Sequence, residues 1–262
     1  MFEATIATTR IGLLVPSSNA VMEVEFYRSL PTDISVHTSH IYRASAAVDA
    51  QAMAETGRNA VQTALSLSQT QVALIVYGHT ASSYVNGPAG DADIARMVGE
   101  AVGVPAMTTA SAAVRCLRSV GAKRVWLAAP YPMGPTRSAA DFLTAPGFEV
   151  LSIECLGVAH GPDLKHVPLQ ATYEMGLRAA AKGQADALFM SGTGVHTIGV
   201  IGELEKALGK PVITANLAAL WGTLDHLGCT DRFSFGESRL LEWQRARGAT
   251  RIPISGPYGV NG

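Results

Sequence analysis

The chain has 262 residues, of which 48% are apolar and 16% are charged, a balance typical of a protein that buries an ordinary core. Its 20 basic and 21 acidic residues are interspersed and give a net charge of −1, so no basic footprint for nucleic acid or an anionic membrane is present. No apolar run is long enough to span a membrane, and the start lacks the pattern of a signal peptide. The three cysteines have no metal-type spacing. We therefore expect a cytoplasmic protein without a structural metal.

The first half of the chain alternates apolar runs with Ala-rich segments, which favours alternating strands and helices. In chain order, the predicted elements are a strand over 10–15, a helix over 20–30, a strand over 34–42, a helix over 44–68, a strand over 72–77, a helix over 91–102, a strand over 104–107 and a helix over 111–120. This alternation is typical of a mostly parallel sheet covered by helices.

The pattern restarts at Arg124, where a strand again ends in a proline, Pro130, as the first strand ends at Pro16. The later predicted elements are helices over 139–143 and 169–182, strands over 148–153 and 187–190, a segment over 209–214 that answers 103–108, and a helix over 239–247. This repeat predicts an α/β fold of two pseudo-symmetric lobes, each a mostly parallel four-stranded sheet flanked by helices. We expect residues 1–110 and 215–262 to form the N-terminal lobe and residues 111–214 the C-terminal lobe.

Chemistry-bearing residues follow the strand predicted over 72–77. Its five consecutive apolar residues indicate a strand buried on both faces, and Gly78 and His79 come directly after it. Ligands of parallel α/β sheets bind at the carboxyl ends of strands. A similar unit ends in the segment 192–194. We therefore expect the two strand ends to face one pocket, with His79 as its most reactive group because an imidazole titrates near neutral pH.

Each candidate also has a purely structural interpretation. Thr80, Ser82 and Ser83 are either helix-capping residues or hydroxyl and N–H donors to an oxyanion. Tyr131 is either a packed aromatic residue or a phenol directed at a ligand. His196 is either a site residue or the cap of the next helix.

The turn after the first strand is a further candidate for ligand binding. Ser18 or Asn19 is a suitable N-cap for the helix predicted over 20–30. Backbone N–H groups and short polar side chains converge at such a turn, which suits an anionic ligand. The remaining histidines have no metal-like spacing, so we expect no metal site.

Four short motifs, in this order along the chain, together resemble the aspartate/glutamate racemase superfamily. The motifs are Pro16-Ser17-Ser18-Asn19, Gly78-His79-Thr80, Pro130-Tyr131 and Ser191-Gly192-Thr193. Within that superfamily, the chain is most similar to the branch of maleate cis–trans isomerases and arylmalonate decarboxylases, over essentially its whole length. The segment from Thr80 to Gly87 looks like the decarboxylase loop whose hydroxyl groups hold a carboxylate.

The resemblance also shows a departure. Racemases and isomerases of this family carry one cysteine after each of two strands, at what correspond to positions 79 and 192, and the decarboxylases keep only the second. Here these positions hold His79 and Gly192. Neither a two-cysteine racemisation nor the addition of a thiolate to a double bond is therefore expected.

The resemblance implies a cofactor-independent lyase or isomerase that acts on a small carboxylate or dicarboxylate through an enediolate-like intermediate. Decarboxylation is favoured because it needs one proton donor, a role that His79 can fill. Two alternatives remain: a hydrolase of a small lactone, imide or amide in which His79 activates water, and a carboxylate-binding protein without catalytic activity. We expect no cofactor and no nucleic-acid or membrane partner, and leave homo-oligomerisation open.

The predicted catalytic residues are His79 and Tyr131. The predicted substrate-binding residues are Pro16, Ser17, Ser18, Asn19, Thr80, Ala81, Ser82, Gly192, Thr193 and Gly194.

Overall fold

The computed structural model describes residues 9–232 and 235–246, in which strands and helices alternate. The strands are β1 (Thr9–Pro16), β2 (Ile34–Ile41), β3 (Leu74–Tyr77), β4 (Ala106–Thr108), β5 (Arg124–Ala129), β6 (Glu149–Cys155), β7 (Ala187–Met190) and β8 (Val212–Thr214). The helices are α1 (Met22–Ser29), α2 (Ala50–Ala64), α3 (Thr80–Val102), α4 (Thr109–Ser119), α5 (Met133–Thr144), α6 (Leu169–Ala180), α7 (Ile198–Leu208), α8 (Ala215–His226) and α9 (Leu240–Ala246). Short 3₁₀ turns lie at Leu65–Thr70, Gly161–His166 and Thr230–Arg232.

The strands form two sheets with the same topology. The first has the order β2-β1-β3-β4 and the second the order β6-β5-β7-β8, and all neighbouring strands are parallel. All four residues of β3 and of β7 are buried, as expected for central strands that helices cover on both faces. The predicted fold class, two pseudo-symmetric parallel α/β units, is confirmed.

Helices that occupy equivalent places in the two halves pack against each other. Helix α4 follows β4, helix α8 follows β8, and a buried ion pair between Arg115 and Asp225 joins them. Gln244 of α9 donates to Ser119 of α4, and the N–H of Arg239, which directly precedes α9, donates to Glu205 of α7. The assignment of residues 215–262 to the N-terminal lobe stays a prediction, and Arg247, the predicted end of the last helix, lies outside the described residues.

The helix predicted over 44–68 is wrong at both ends. Helix α2 begins at Ala50 because Asp49 caps it, its carboxylate accepting the Ala52 N–H at 2.9 Å. Residues 44–49 instead form a loop in which Ala47 pairs with His160 of the other half. At the other end, the chain tightens into the 3₁₀ turn Leu65–Thr70. The Ala-rich composition favoured a helix, whereas the loop depends on a partner that is distant in sequence.

The helix predicted over 91–102 begins eleven residues earlier, at Thr80. Gly87, with φ at +65°, and Pro88 form a kink inside α3. The loop expected after His79 is therefore the first turns of a helix. As a result, the amino end of α3, with its unpaired N–H groups, lies at the carboxyl end of β3.

Candidate active site

A narrow cavity lies where the carboxyl ends of the two sheets meet. Its volume is only about 20 Å³, which is close to the space that one water molecule needs. Its lining residues are Pro16, Ser18, Asn19, Arg43, Val48, Met53, His79, Tyr131, Gly161, Leu164, Thr193 and Gly194. The structure thus brings together seven of the predicted site residues: Pro16, Ser18, Asn19, His79, Tyr131, Thr193 and Gly194.

Two loops, one from each half of the chain, meet over this cavity. The loop between β2 and α2 bonds to the loop between β6 and α6, with Val48 N–H donating to Ala159 O at 3.0 Å and Gly161 N–H to Ala46 O at 2.8 Å. Val48 and Gly161 are themselves lining residues. The cover of the cavity is therefore assembled from both halves.

Thr193 joins the ends of β1, β3 and β7. Its hydroxyl donates to Gly78 O at 2.9 Å and accepts from the Asn19 side-chain amide at 2.9 Å. The Asn19 carbonyl oxygen in turn accepts the N–H groups of Val21 and Met22 and so caps the entry to α1. A hydroxyl has a single proton to donate. The Thr193 hydroxyl therefore holds the strand ends in place and has no proton left for a substrate carboxylate.

A buried carboxylate, Glu25, stabilises this arrangement through Asn216, which contacts Thr193. It accepts the Thr197 N–H at 2.7 Å and hydroxyl at 3.1 Å, the Ile198 N–H at 3.2 Å and the Asn216 amide at 2.7 Å. Asn216 also donates to Thr193 O at 3.3 Å. Burial raises the pKa of Glu25, and the hydrogen bonds oppose that rise. Glu25 thus links α1 to α7, α8 and, through Asn216, to Thr193.

The imidazole of His79 is buried and oriented by Ser82. The Ser82 hydroxyl lies 3.0 Å from His79 Nδ1 and 2.5 Å from the Tyr77 phenol oxygen, and it donates to His79 O at 3.0 Å. Because its one proton is used on His79 O, we assign the Ser82 oxygen as acceptor from both Tyr77 and Nδ1–H. His79 Nε2 is then an unprotonated acceptor on a ring that lines the cavity.

Burial is the main reason why the charged form of His79 is disfavoured. Together with the nearby Arg43 guanidinium, it lowers the pKa of His79 to about 3, from an ordinary value of 6.5. His79 is therefore neutral in the unliganded protein at pH 7. An anion bound beside it would reverse part of this effect and raise the pKa of His79.

This depressed pKa predicts a loss of stability on the acid side. The unfolded chain binds a proton at His79 below about pH 6.5, whereas the folded chain does so only near pH 3. The contribution of His79 to the free energy of unfolding is therefore fully present above about pH 6.5 and is lost as the pH falls from there toward 3. Between pH 7 and pH 5, we expect wild type to lose about 2 kcal/mol relative to His79→Gln in urea unfolding. Parallel curves for the two proteins would contradict this burial-driven shift.

The phenol of Tyr131 is the second polar group with a predicted catalytic role. Burial raises the pKa of Tyr131, and the Thr80 hydroxyl and the Arg43 guanidinium oppose that rise. At neutral pH the phenol therefore keeps its proton and can donate it to an anion in the cavity. Thr80 Oγ1 is buried, lies beside the phenols of Tyr84 and Tyr131, and has no partner at standard hydrogen-bond geometry.

Gly192 has a backbone that favours glycine, with φ at +101°. A Cβ placed there would lie 2.9 Å from Pro130 Cδ and 3.2 Å from the Tyr131 phenol oxygen. The space beside position 192 is thus occupied by Tyr131 and Pro130. Gly192 itself does not line the cavity but shapes it through these two neighbours.

We expect Gly192→Ala to lower the free energy of unfolding by about 1–3 kcal/mol, because it combines an unfavourable φ with crowding of Tyr131. Gly209→Ala is a matched control, since Gly209 also has positive φ but no atom within 4 Å of its Cβ position. Chemical denaturation of both variants separates the two causes. Equal losses would show that crowding at Tyr131 costs nothing.

Five predicted site residues lie outside the cavity lining: Ser17, Thr80, Ala81, Ser82 and Gly192. Ser17 is exposed to solvent. Ala81 lines an adjoining, mainly apolar cavity of about 380 Å³, which shares Val48 and Met53 with the first. His196 is half-buried and also lies outside the lining.

Arg43 is a lining residue that sequence reasoning missed. It lies between the strand predicted over 34–42 and the helix predicted over 44–68, and a lone arginine at such a junction gave no signal of a site. Gly161, whose Cβ position would lie 3.2 Å from an Arg43 terminal nitrogen, offered no signal either. Only the pairing of two distant loops places the guanidinium at the cavity.

Across residues 9–232 and 235–246, no group of three His, Cys, Asp or Glu side chains is arranged to hold a metal ion. In the same ranges, no helix is both long and apolar enough to cross a membrane. The thiols of Cys116, Cys155 and Cys229 are free, and none lines the cavity.

Known proteins with this fold share the whole architecture. The chain is 26% identical over 237 residues to the arylmalonate decarboxylase of Bordetella bronchiseptica, covering 90% of this chain and 98% of that protein. It is 24% identical over 232 residues to the maleate isomerase of Geobacillus stearothermophilus, covering 83% and 91%. The crystal structure of the maleate isomerase Iso from Pseudomonas putida S16 superposes with a TM-score of 0.82 at 24% identity, covering 89% of this chain and 98% of that one.

The family model described as arylmalonate decarboxylase matches residues 11–241, which include both sheets apart from the first two residues of β1, and all the residues that line the cavity. The chain therefore belongs to the arylmalonate decarboxylase family.

Proposed function

We propose that this protein is a cofactor-independent lyase that decarboxylates a small dicarboxylate, with His79 as the proton donor. The observation that carries the proposal is that a buried imidazole lines a narrow cavity at the carboxyl ends of both sheets. The relatives by name, a decarboxylase of arylmalonates and isomerases of maleate, indicate a small dicarboxylate as the substrate class.

In this reaction, the bond between the α carbon and one carboxylate breaks and carbon dioxide leaves. The electron pair passes to the α carbon and into the retained carboxylate, which becomes an enediolate. The Tyr131 phenol donates a hydrogen bond to the developing negative charge. His79, protonated at Nε2, transfers this proton to the α carbon and then regains one from solvent. The overall reaction consumes one proton for each substrate molecule.

The low pKa of free His79 is compatible with this role once substrate is bound. A dianion in the cavity offsets both the burial and the Arg43 charge that depress the pKa. Substrate binding and proton uptake at His79 are therefore coupled. Ser82, which accepts from Nδ1–H, holds the ring so that Nε2 is the nitrogen left for the α carbon.

One observation favours a second candidate, a hydrolase. In the unliganded protein, His79 is neutral and its Nε2 is an acceptor, which is the state of a general base that activates water. The lactone, imide or amide substrates of such a hydrolase carry no carboxylate of their own. Product analysis distinguishes the two reactions.

The test is to incubate the full chain with 2-methyl-2-phenylmalonate in D₂O and follow the mixture by NMR, with maleate, a lactone, an imide and an amide as parallel substrates. The α carbon of this malonate carries no proton, so decarboxylation introduces one deuterium per turnover. Carbon dioxide release with one deuterium, absent from His79→Ala, is the expected result. Fumarate from maleate, ring opening of the lactone or imide, or binding of all compounds without turnover would contradict it.

A further inference from the structure

The guanidinium of Arg43 has no acidic partner in the part of the chain that the structure describes. One terminal nitrogen donates to Ala47 O at 2.6 Å, and the other lies 3.5 Å from Ser18 Oγ, at the limit of a hydrogen bond. Its Nε is buried and unpartnered. No described carboxylate lies within 4 Å of it. The side chain therefore brings a positive charge, and unused donors, to the cavity.

The two carboxylates that influence Arg43 electrostatically do not neutralise it. Asp49 and Glu55 both raise the pKa of Arg43, against a larger lowering by burial. Neither forms an ion pair with it, and Asp49 is engaged at the Ala52 N–H as the cap of α2. A guanidinium stays protonated in proteins. The charge on Arg43 is thus permanent and poorly compensated.

Every other described lining group is uncharged at neutral pH. His79 is neutral, the Tyr131 phenol keeps its proton, and the remaining lining side chains have no ionisable group. The cavity therefore has a formal charge of about +1. Where water is scarce, such a charge favours a bound anion much more strongly than it would at an open surface.

The segment of the chain around Gly161 leaves room for this guanidinium. A Cβ at Gly161 would lie 3.2 Å from an Arg43 terminal nitrogen and 3.1 Å from Ser18 Oγ. Gly161 N–H also donates to Ala46 O, which fixes the Arg43 loop against the other half. Glycine at this position thus permits the two loops to close while Arg43 and Ser18 occupy the space between them.

We propose that Arg43 is the specificity-determining residue that recognises a carboxylate of the substrate and makes the cavity select anions over uncharged analogues. The inference deepens the proposed function, on which it rests only for the identity of the anion as substrate. In that reaction, the guanidinium stabilises the carboxylate that is retained, where negative charge accumulates in the enediolate. It also excludes neutral lactones and amides as preferred ligands.

The test is isothermal titration calorimetry on the full chain with malonate and its uncharged analogue malonamide, at pH 7.5. We expect wild type to bind malonate at least about 10-fold more tightly than malonamide. Arg43→Gln should weaken malonate binding by roughly 10- to 100-fold and leave malonamide unchanged. Arg43→Lys should retain part of the preference, because it keeps the charge but not the planar fork. Arg58→Gln, an exposed arginine of α2, is the matched control.

A loop-pinning role through Ala47 alone would have a different signature. It would lower the midpoint of thermal unfolding of Arg43→Gln and weaken both ligands equally. Any one of three results would overturn the proposal. They are equal weakening of both ligands in Arg43→Gln, unchanged malonate binding in Arg43→Gln, and a wild type that does not prefer malonate. Arg43→Lys serves the same comparison if Arg43→Gln does not fold. Because the readout is binding, selective malonate binding together with no carbon dioxide release from 2-methyl-2-phenylmalonate would refute the lyase assignment and leave the role of Arg43 intact.

Discussion

Replacing His79 by alanine is expected to lower kcat by about 10²- to 10⁴-fold on the true substrate, the usual contribution of a positioned general acid or base. The hydroxyl groups near His79 do not exchange protons near pH 7, and the pKa of Tyr131 is raised above that of a free phenol. No other group in the described lining of the cavity replaces the imidazole. Steady-state kinetics with 2-methyl-2-phenylmalonate measures the loss.

His79→Gln separates proton transfer from hydrogen bonding. Its amide can still contact Ser82 but cannot titrate, so we expect it to be almost as inactive as alanine. His196→Gln, which changes a half-buried histidine outside the cavity, is the matched control and should keep nearly full kcat. If His79→Gln retained near-full kcat and changed only KM, His79 would be a binding residue and the hydrolase and binding-protein alternatives would be reopened.

The strands could be predicted because central strands of a parallel sheet are buried on both faces and appear as short apolar runs. The run that ends at Tyr77 and the run that ends at Met190 both form such strands. Since ligand sites lie at the carboxyl ends of these strands, the sequence also indicated where His79 and Thr193 would be found. His79 and Thr193 lie close to each other because the duplicated topology places β3 and β7 in equivalent positions of the two sheets.

The roles of individual side chains depended on contacts between distant segments. Thr193 was expected to bind substrate, but its hydroxyl proton is used on Gly78 O. Arg43 was overlooked because it stands alone between a predicted strand and a predicted helix, and only the pairing of its loop with residues 159–161 brings it to the cavity. Glu25 had no sequence signal, since an acidic residue on a short helix is most often exposed. Its burial becomes apparent only when α7 and α8 are in place.

Glu25→Ala is expected to lower the free energy of unfolding by about 3 kcal/mol, the second large effect. The substitution leaves the N–H groups of Thr197 and Ile198 and the amide of Asn216 buried without an acceptor, and each such donor costs about 1–3 kcal/mol. The substitution also removes a carboxylate that is costly to bury, which offsets part of this loss. For a chain of this size, the midpoint of thermal unfolding should fall by roughly 6–12 °C. Glu23→Ala, on the same helix but partly exposed, is the control for helix propensity.

Glu25→Gln then tests whether this support reaches the cavity. A glutamine carbonyl can still accept the N–H groups of Thr197 and Ile198, but its NH₂ would face the Asn216 amide. Asn216 can relieve this by turning its Oδ1, which has no partner in the wild type, toward position 25, and it then loses the bond to Thr193 O. We therefore expect Glu25→Gln to keep most of the stability and to lose activity several-fold, because Thr193 is no longer held against Gly78. Calorimetry and kinetics on the same preparations measure both quantities. A Glu25→Gln protein with full activity would mean that the Glu25 network stabilises the fold without positioning the site.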